Sequence, residues 1–176
     1  MTITAIKNAV TEVLPPVTPE AYREGMSSLA AAVNVVTTTG PEGHAGFTAT
    51  AVCSVSDNPA TLLVCLNRGA SVHQVFKNST HLVINTLTSQ HQLISNTFGG
   101  KAPMNERFEI GDWVESTTGC PRLADAAVSF DCIITDVKSV ATHDVIFCQV
   151  VDIKQDPEGD ALLYYQRGYH SACKDA

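Results

Sequence analysis

Several markers of common function classes are missing from the sequence. It contains 6 cysteines, yet it has no Cys-x-x-Cys pair and no Cys/His cluster at zinc-ligand spacing, so neither a structural metal nor a disulfide framework is expected. No apolar run reaches the ~18–20 residues that span a bilayer. The N-terminal segment lacks the order of a signal peptide, and we therefore expect a cytoplasmic protein with no membrane partner.

Cationic residues are scarce as well. The chain has 11 Lys and Arg against 18 Asp and Glu, for a net charge of −7. Because binding to a phosphate backbone needs clustered cations, we expect no nucleic-acid partner, and an anionic ligand would have to be held by local groups. The length of 176 residues, without internal repeats or a linker, predicts an N-terminal lead-in over residues 1–17 and a single domain over residues 18–176.

Familiar catalytic motifs are also absent. There is no Gly-x-Gly-x-x-Gly of a dinucleotide-binding fold, no Gly-x-Ser-x-Gly elbow and no P-loop. No nucleophile stands beside a base, and no carboxylate pair stands out. This pattern favours a protein that binds and orients a cofactor, with the cofactor carrying the reaction.

The patterns that are present are mostly those of β-strands. Strands are predicted at 33–39, 46–56, 61–66, 81–87, about 126–136, 144–153 and 161–166, with a hairpin turn at Gly40–Gly43 and a break at Asp57–Pro59. Helices are predicted at about 19–31 after the N-cap Thr18, from Arg68–Ser71 to about 77, and from a capping box at Ser89–Gln92 to about 98. The cysteines at 53, 65, 132 and 148 lie in the apolar runs, where a thiol acts as a small hydrophobe. Together these patterns predict a mainly β protein, a barrel of mixed or antiparallel strands with a few short helices outside.

The segment 46–56 has the period of a strand but two unusual faces. One face carries small to medium apolar groups suited to a core: Phe47, Ala49, Ala51, Cys53 and Val55. The other is rich in short hydroxyls and lacks charged groups: Thr48, Thr50, Val52, Ser54 and Ser56. This face suits a flat, polar-edged ligand that lies close to the strand, and it equally suits the solvated side of a sheet, so both interpretations stay open.

Three further segments are candidate binding elements. The first, Asn67–Ser71, connects an apolar strand to a helix, and its backbone N–H groups with Arg68 would bind a phosphate; the alternative is an ordinary turn with a solvated arginine. The second, Phe98–Lys101 with Arg107, would allow close backbone approach and neutralise charge, unless it is only a surface loop. The third is His143 at the start of a strand, with Tyr169 far along the chain, and either a ligand contact or a structural role fits it.

These segments resemble those of the short flavin reductases of two-component monooxygenase systems. The likeness runs from about residue 20 to 171, with the motifs in the expected order. Within the family it is greatest to the reductases of pyrimidine utilisation and next to the reductase components of 4-hydroxyphenylacetate monooxygenases. The resembling segments are MSSLAAAVNVVTT (26–38), GFTATAVCSV (46–55), LVCLNRGAS (63–71), FGGK (98–101), AVSFDC (127–132), THDVIF (142–147) and YYQRGYH (164–170).

The resemblance implies a split β-barrel flavin-binding fold that forms a homodimer with the flavin near the subunit interface. It implies hydride transfer from NADH, or alternatively NADPH, to FMN or FAD, followed by release of the reduced flavin to a partner monooxygenase. A flavin that must leave is expected to bind only moderately, which agrees with an aromatic content of 6% and few groups for ring stacking. Two rivals share the fold: a non-catalytic FMN-storage module, and an FMN-retaining oxidase of the pyridoxamine-phosphate oxidase type.

The resemblance also implies roles for individual residues. The ring and ribityl chain would lie against Thr48, Ala49, Thr50, Ala51 and Ser54. The phosphate would be held by Asn67, Arg68 and Ser71, with Phe98 and Lys101 closing over it, and the nicotinamide nucleotide would contact His143 and Tyr169. One departure is visible, since some relatives carry the phosphate-loop serine where this chain has Ala70, with Ser71 one position later.

Overall fold

The structure, a computed structural model, describes residues 15–156 and 159–173, so most of the predicted lead-in lies outside the described residues. Within this part, the helices are α1 (Pro19–Ser27), α2 (His73–Asn78), α3 (Gln92–Gly99, preceded by a 3-10 turn at Ser89–His91) and α4 (Met104–Arg107). The strands are β1 (Ala31–Ala32), β2 (Asn34–Gly40), β3 (Gly43–Ala49), β4 (Val52–Asp57), β5 (Ala60–Asn67), β6 (His81–Thr86), β7 (Trp113–Glu115), β8 (Pro121–Leu123), β9 (Val128–Val140), β10 (His143–Gln155), β11 (Ala161–Tyr165) and β12 (Gly168–Ala172). The mainly β prediction is confirmed.

Seven strands form one sheet in the order β3-β2-β6-β9-β10-β5-β4. Every neighbouring pair in it is antiparallel. The two edge strands, β3 and β4, follow one another in the chain, and near their junction the N–H of Cys65 on β5 donates to the carbonyl of Ala51 at 3.1 Å. Because the two edges of the sheet meet at this junction, the sheet closes into a barrel that is split on one side. The split-barrel prediction is confirmed.

The barrel interior is one hydrophobic cluster to which six of these strands and α2 contribute. Phe47 and Phe76 pack edge to face in it, with ring centroids 5.0 Å apart. Cys132 and Cys148 lie fully inside, as the strand pattern predicts for small hydrophobes. A second cluster, which includes Val35, packs α3 and β11 against the outside of β2. No helix among the described residues has the length and hydrophobicity needed to cross a bilayer.

The prediction of a single strand over 46–56 is wrong in one respect that matters for the site. The N–H of Val52 donates to the carbonyl of Thr50 at 3.0 Å, so a tight turn interrupts the strand. Beyond it the alternation shifts by one residue, and Val52 packs against the barrel core while Ala51 and Cys53 are exposed. The predicted core face is therefore correct up to Ala49 only, because a shift of one residue exchanges the two faces of a strand.

Other boundaries differ by a few residues. The first helix ends at Ser27 rather than near residue 31, and the chain enters β1, which pairs with β11. The capping box forms one residue earlier than predicted: Thr88 is the N-cap, and its backbone N–H donates to Nδ1 of His91 at 3.1 Å. Strand β12 was not predicted, because the turn before it uses Gln166 and Arg167 at positive φ (48° and 62°) where Asn and Gly are the usual signal.

Candidate functional site

An open cavity of about 430 Å³ lies at the split of the barrel. It is bounded by the β3–β4 junction, the end of β5, the loop that leads into α2, and the end of α3. Eight residues singled out in the sequence line it: Thr48, Ala49, Thr50, Ala51, Asn67, Ser71, Phe98 and His143. The fold therefore brings together segments that are as far apart as residues 48 and 143.

Two further cavities share lining residues with this main cavity, one at each side. A cavity of about 580 Å³ shares Ser71 and Gly100 and includes Lys101. A cavity of about 340 Å³ shares Thr50 and Gly100 and includes Tyr169. Lys101 and Tyr169 thus lie beside the main cavity on different sides, and Gly100 borders all three spaces.

Two of the predicted site residues lie outside the lining of all three cavities. Ser54 is exposed on β4, in register with Leu62 of β5. Arg68 turns away from the main cavity, because its guanidinium donates to the carbonyl of Ala141 in the β9–β10 turn. The N–H of Arg68 donates to the carbonyl of Thr142 at 3.0 Å, so the start of this loop is tied to the same turn.

The loop between β5 and α2 leaves unpaired donors on residues that line the main cavity. Asn67 folds the loop, since its Oδ1 accepts from the N–H of Gly69 at 2.8 Å and its carbonyl accepts from that of Ala70 at 3.0 Å. The N–H groups of Ser71 and Val72 have no acceptor within the described part of the chain, and both residues line the cavity. Two free N–H groups and the Ser71 hydroxyl can donate hydrogen bonds to an anion.

The opposite wall is α3, and polar contacts hold it against the barrel. The hydroxyl of Thr48 donates to the carbonyl of Ser95 at 2.7 Å. Tyr169 donates to Oδ1 of Asn96 at 2.9 Å and shares a second hydrogen bond with the Ser95 hydroxyl at 2.9 Å. The Thr48 hydroxyl therefore fixes the helix, while Thr50 remains exposed at the cavity.

Arg107 has a different role from the one its sequence suggests. It is only 6% exposed, and its Nη1 donates to the carbonyls of Gly46 at 3.2 Å and Phe98 at 2.9 Å. Its Nη2 donates to Gly100 and its Nε to Ala102, both at 3.0 Å. Burial lowers the pKa of the guanidinium. Since four of its five N–H groups are engaged, Arg107 shapes the glycine loop and has little capacity left to donate hydrogen bonds to a ligand, although it borders the main cavity.

The sequence did not predict that Arg107 shapes the glycine loop, because its four hydrogen-bond acceptors are backbone carbonyls and no motif marks them. It also missed Cys65, Leu66 and Val72 as lining residues. Behind the main cavity, Asp144 accepts from the Ser139 hydroxyl at 2.6 Å and lies 2.7 Å from Nε2 of His73. These two hydrogen bonds hold the pKa of the Asp144 carboxyl below its usual value.

Comparison with known proteins agrees with this geometry. The family signature described as a flavin reductase like domain matches residues 26–172. The protein named FMN reductase (NADH) RutF of Enterobacter cloacae subsp. cloacae is 51% identical over 157 residues, which are 89% of this chain and 96% of that protein. Its namesake in Klebsiella pneumoniae subsp. pneumoniae is 53% identical over 155 residues, 88% of this chain and 94% of that protein. A crystal structure of a provisionally assigned flavin reductase from Haemophilus somnus has a TM-score of 0.87 at 46% identity, and covers 89% of this chain and 100% of its own.

A signature match over nearly all the described residues, together with relatives of 51–53% identity along most of their length, establishes the family. The chain belongs to the flavin reductase like family. The resemblance that its motifs indicated is therefore confirmed.

Proposed function

We propose that this protein is an NADH-dependent FMN reductase that releases its reduced flavin. The observation that carries the proposal is the main cavity, where small side chains at Thr48–Ala51 adjoin the free N–H groups of Ser71 and Val72. A flat ring with a phosphate at the end of a flexible chain fits that combination of surfaces. Relatives that share half of the sequence carry the name FMN reductase (NADH).

Each lining segment then has a task. The ring lies against residues 48–51, Asn67 and Ser71 hold the phosphate end, and Phe98 and Lys101 border it. His143 and Tyr169 border the space beside the ring and contact the nicotinamide nucleotide. Ser54 and Arg68 are included among the flavin contacts on the resemblance alone, since neither lines the cavities.

The protein contributes mainly binding and alignment. A flavin held in the main cavity would supply the redox chemistry, as the acceptor of a hydride from NADH. The walls of the cavity would align the flavin and the nicotinamide nucleotide, and such positioning supplies much of the rate of a two-substrate reaction. The N–H groups near the β3–β4 junction are suited to stabilise charge that develops on the ring edge. FMN and NADH are the proposed pair on the names of the relatives, with FAD and NADPH as the alternatives to test.

We further propose a homodimer in which a second copy covers the outer face of β4, β5, β9 and β10. Leu63 pairs with Phe147, and Ile133 on β9 is 40% exposed. In the same register Asn67 pairs with His143, so this apolar face continues directly into the wall of the main cavity. Contiguous exposed apolar surface of this kind is typical of an interface. Phe147→Glu is expected to yield a monomer with weakened FMN affinity, as measured by light scattering and by flavin titration.

Three wider statements belong to the same proposal. Residues 18–176 act as one domain. The acceptor of the reduced flavin is a monooxygenase, with which a stable complex is not required because the open cavity leaves the flavin a path to solvent. The enzyme works in the cytoplasm, where NADH is available as the reductant.

The test is NADH oxidation at 340 nm by purified apoprotein, with FMN absent, catalytic or in excess. We expect a rate that saturates at about micromolar free FMN, equivalent to about 8 kcal/mol of binding free energy. Thr50→Val is expected to weaken FMN binding, because it changes a hydroxyl that faces the cavity. FMN binding without oxidation of NADH or NADPH would contradict the proposal and leave a storage module, and a cofactor that stays bound through purification would indicate the oxidase.

A further inference from the structure

A buried polar pair lies directly behind the main cavity and takes no part in lining it. Nε2 of His73, the first residue of α2, lies 2.7 Å from Oδ2 of Asp144 on β10, and the two side chains are 11% and 9% exposed. The second carboxylate oxygen accepts from the Ser139 hydroxyl of β9 at 2.6 Å. One short chain of hydrogen bonds therefore connects α2, β10 and β9.

The position of the pair in the chain relates it to both halves of the site. His73 comes two residues after Ser71, which lines the main cavity and whose N–H has no acceptor among the described residues. Asp144 comes directly after His143, and adjacent residues of a strand point to opposite faces. Asp144 thus faces the barrel while His143 lines the cavity. A shift of His73 relative to Asp144 would move Ser71 relative to His143.

The loop between β5 and α2 is held at both ends. At its start, the N–H and the guanidinium of Arg68 donate to carbonyls of the β9–β10 turn. At its end, the only side-chain hydrogen bond that joins α2 to β10, among the residues described, is that between His73 and Asp144. Between these two ties lie the free N–H groups of Ser71 and Val72.

Stability alone does not account for the pair. A buried ionisable pair brings little net stabilisation, because removing the two groups from water offsets their attraction, and apolar replacements are often neutral or better. Apolar residues adjoin both members of the pair, since Asp144 is in register with the buried Leu66 and His73 follows the buried Val72. What a hydrogen-bonded pair does supply is a fixed distance and direction between two elements.

We propose that His73 and Asp144 are positioning residues, which hold the backbone of Ser71 and Val72 at the place that a flavin phosphate requires. The inference rests on the proposed function, because it needs the phosphate of FMN to occupy this loop. FMN and riboflavin share the ring and ribityl chain and differ only in the phosphate. The His73–Asp144 pair should therefore determine how strongly the protein prefers FMN over riboflavin. Neither side chain touches the flavin.

The experiment compares the Kd of FMN with the Kd of riboflavin by fluorescence titration of the apoprotein. His73→Asn shortens the side chain and breaks the link, so FMN should bind about tenfold more weakly while riboflavin changes by less than about twofold, as for other residues that act through a neighbour. His73→Gln places a carboxamide nitrogen near the original Nε2 and should restore most of the ratio. His91→Asn is the matched control. His91 is also a buried histidine beside a carboxylate, with its Nε2 3.2 Å from Oδ2 of Asp125, but it lines none of the three cavities. Its replacement should leave the ratio of the two Kd values unchanged.

The outcomes separate the inference from the function on which it rests. A wild-type protein that binds FMN no better than riboflavin would overturn the phosphate site, and the inference with it. A wild-type preference for FMN that survives in His73→Asn, or equal losses of both ligands, would overturn the inference and leave the proposed function intact. If His73→Asn does not fold, Ser139→Ala is the second variant, because it removes only one hydroxyl from the chain of hydrogen bonds. It should reduce the preference for FMN over riboflavin in the same direction by a smaller factor.

Discussion

Arg107→Met would test how far the shape of the site depends on one buried guanidinium. The substitution keeps the approximate length and apolar volume of the side chain and removes all of its donors. Four carbonyls then lose a partner, and those of Gly46 and Phe98 are the buried ones. The other two, of Gly100 and Ala102, lie nearer to solvent and regain water.

The structure sets the size of the effect. A buried polar group left without a partner costs about 1–3 kcal/mol, so the carbonyls of Gly46 and Phe98 together cost about 2–6 kcal/mol. Burial of the charged guanidinium, which lowers its pKa, costs the wild type desolvation free energy that the Met variant does not incur. This relief favours the lower half of the range, about 2–4 kcal/mol. A loss of about 3 kcal/mol in a chain of this size corresponds to a fall in Tm of about 6–12 °C.

The assay is thermal unfolding by circular dichroism together with FMN titration at a fixed protein concentration. FMN affinity should fall with Tm, because Gly100 borders all three cavities and its carbonyl is one of those released. Arg23→Met is the matched control, since this arginine pairs with Glu20 on the exposed face of α1 and should change Tm by almost nothing. An Arg107→Met protein with unchanged Tm and unchanged FMN affinity would refute the role assigned to Arg107 in shaping the glycine loop.

Three more substitutions test other parts of the structure. Gly46→Ala would place a Cβ 2.7 Å from a ring carbon of Phe98 and should destabilise the fold by about 1–3 kcal/mol in urea unfolding, whereas Gly25→Ala, with no atom within 4 Å, should be neutral or stabilising. His143→Ala should raise the KM for NADH more than that for FMN in steady-state kinetics, and equal increases would remove its proposed contact with the nucleotide. Hydrogen bonds from Ser89, in the 3-10 turn before α3, lower the pKa of Asp160. The contribution of Asp160 to stability is therefore complete above the ordinary Asp pKa of about 3.9 and disappears as the pH falls through the folded-state value. Asp160→Asn should lose less stability than the wild type on acidification, and parallel acid-unfolding curves would contradict this.

Local patterns were sufficient to predict the strands of the barrel, and the motif resemblance named residues that the fold brings together around the main cavity. Strand alternation and turn residues gave seven strands near their observed positions, and motif resemblance named eight of the residues that line the main cavity. Both signals are local, since strands have a two-residue period and a binding loop must carry its own donors. The loop at Asn67–Ser71 illustrates this, because its Asx turn forms within three residues.

What could not be predicted depends on contacts between distant segments. The tight turn at Thr50 and Ala51 exists because the chain crosses from one edge of the sheet to the other, and nothing in the alternating pattern marks that crossing. The sequence pattern around Arg107 is typical of an exposed cation in a loop. The side chain is buried instead, and four backbone carbonyls accept hydrogen bonds from it. Every residue has a backbone carbonyl, so the sequence does not mark the carbonyls that accept from a buried side chain.

The placement of the cations bears directly on the release of a reduced flavin. Two arginines lie near the proposed phosphate end, but Arg107 is engaged with backbone carbonyls and Arg68 with the β9–β10 turn. In this structure, the donors that the cavities offer to a phosphate are the neutral N–H groups of Ser71 and Val72 and the exposed Lys101 at the edge of the adjoining cavity. Neutral hydrogen bonds are about half as strong as those from a charged donor, and a protein of net charge −7 repels an anion at longer range. Such a site can orient FMN through the backbone and still let it go, which is what a reductase with a diffusing product requires.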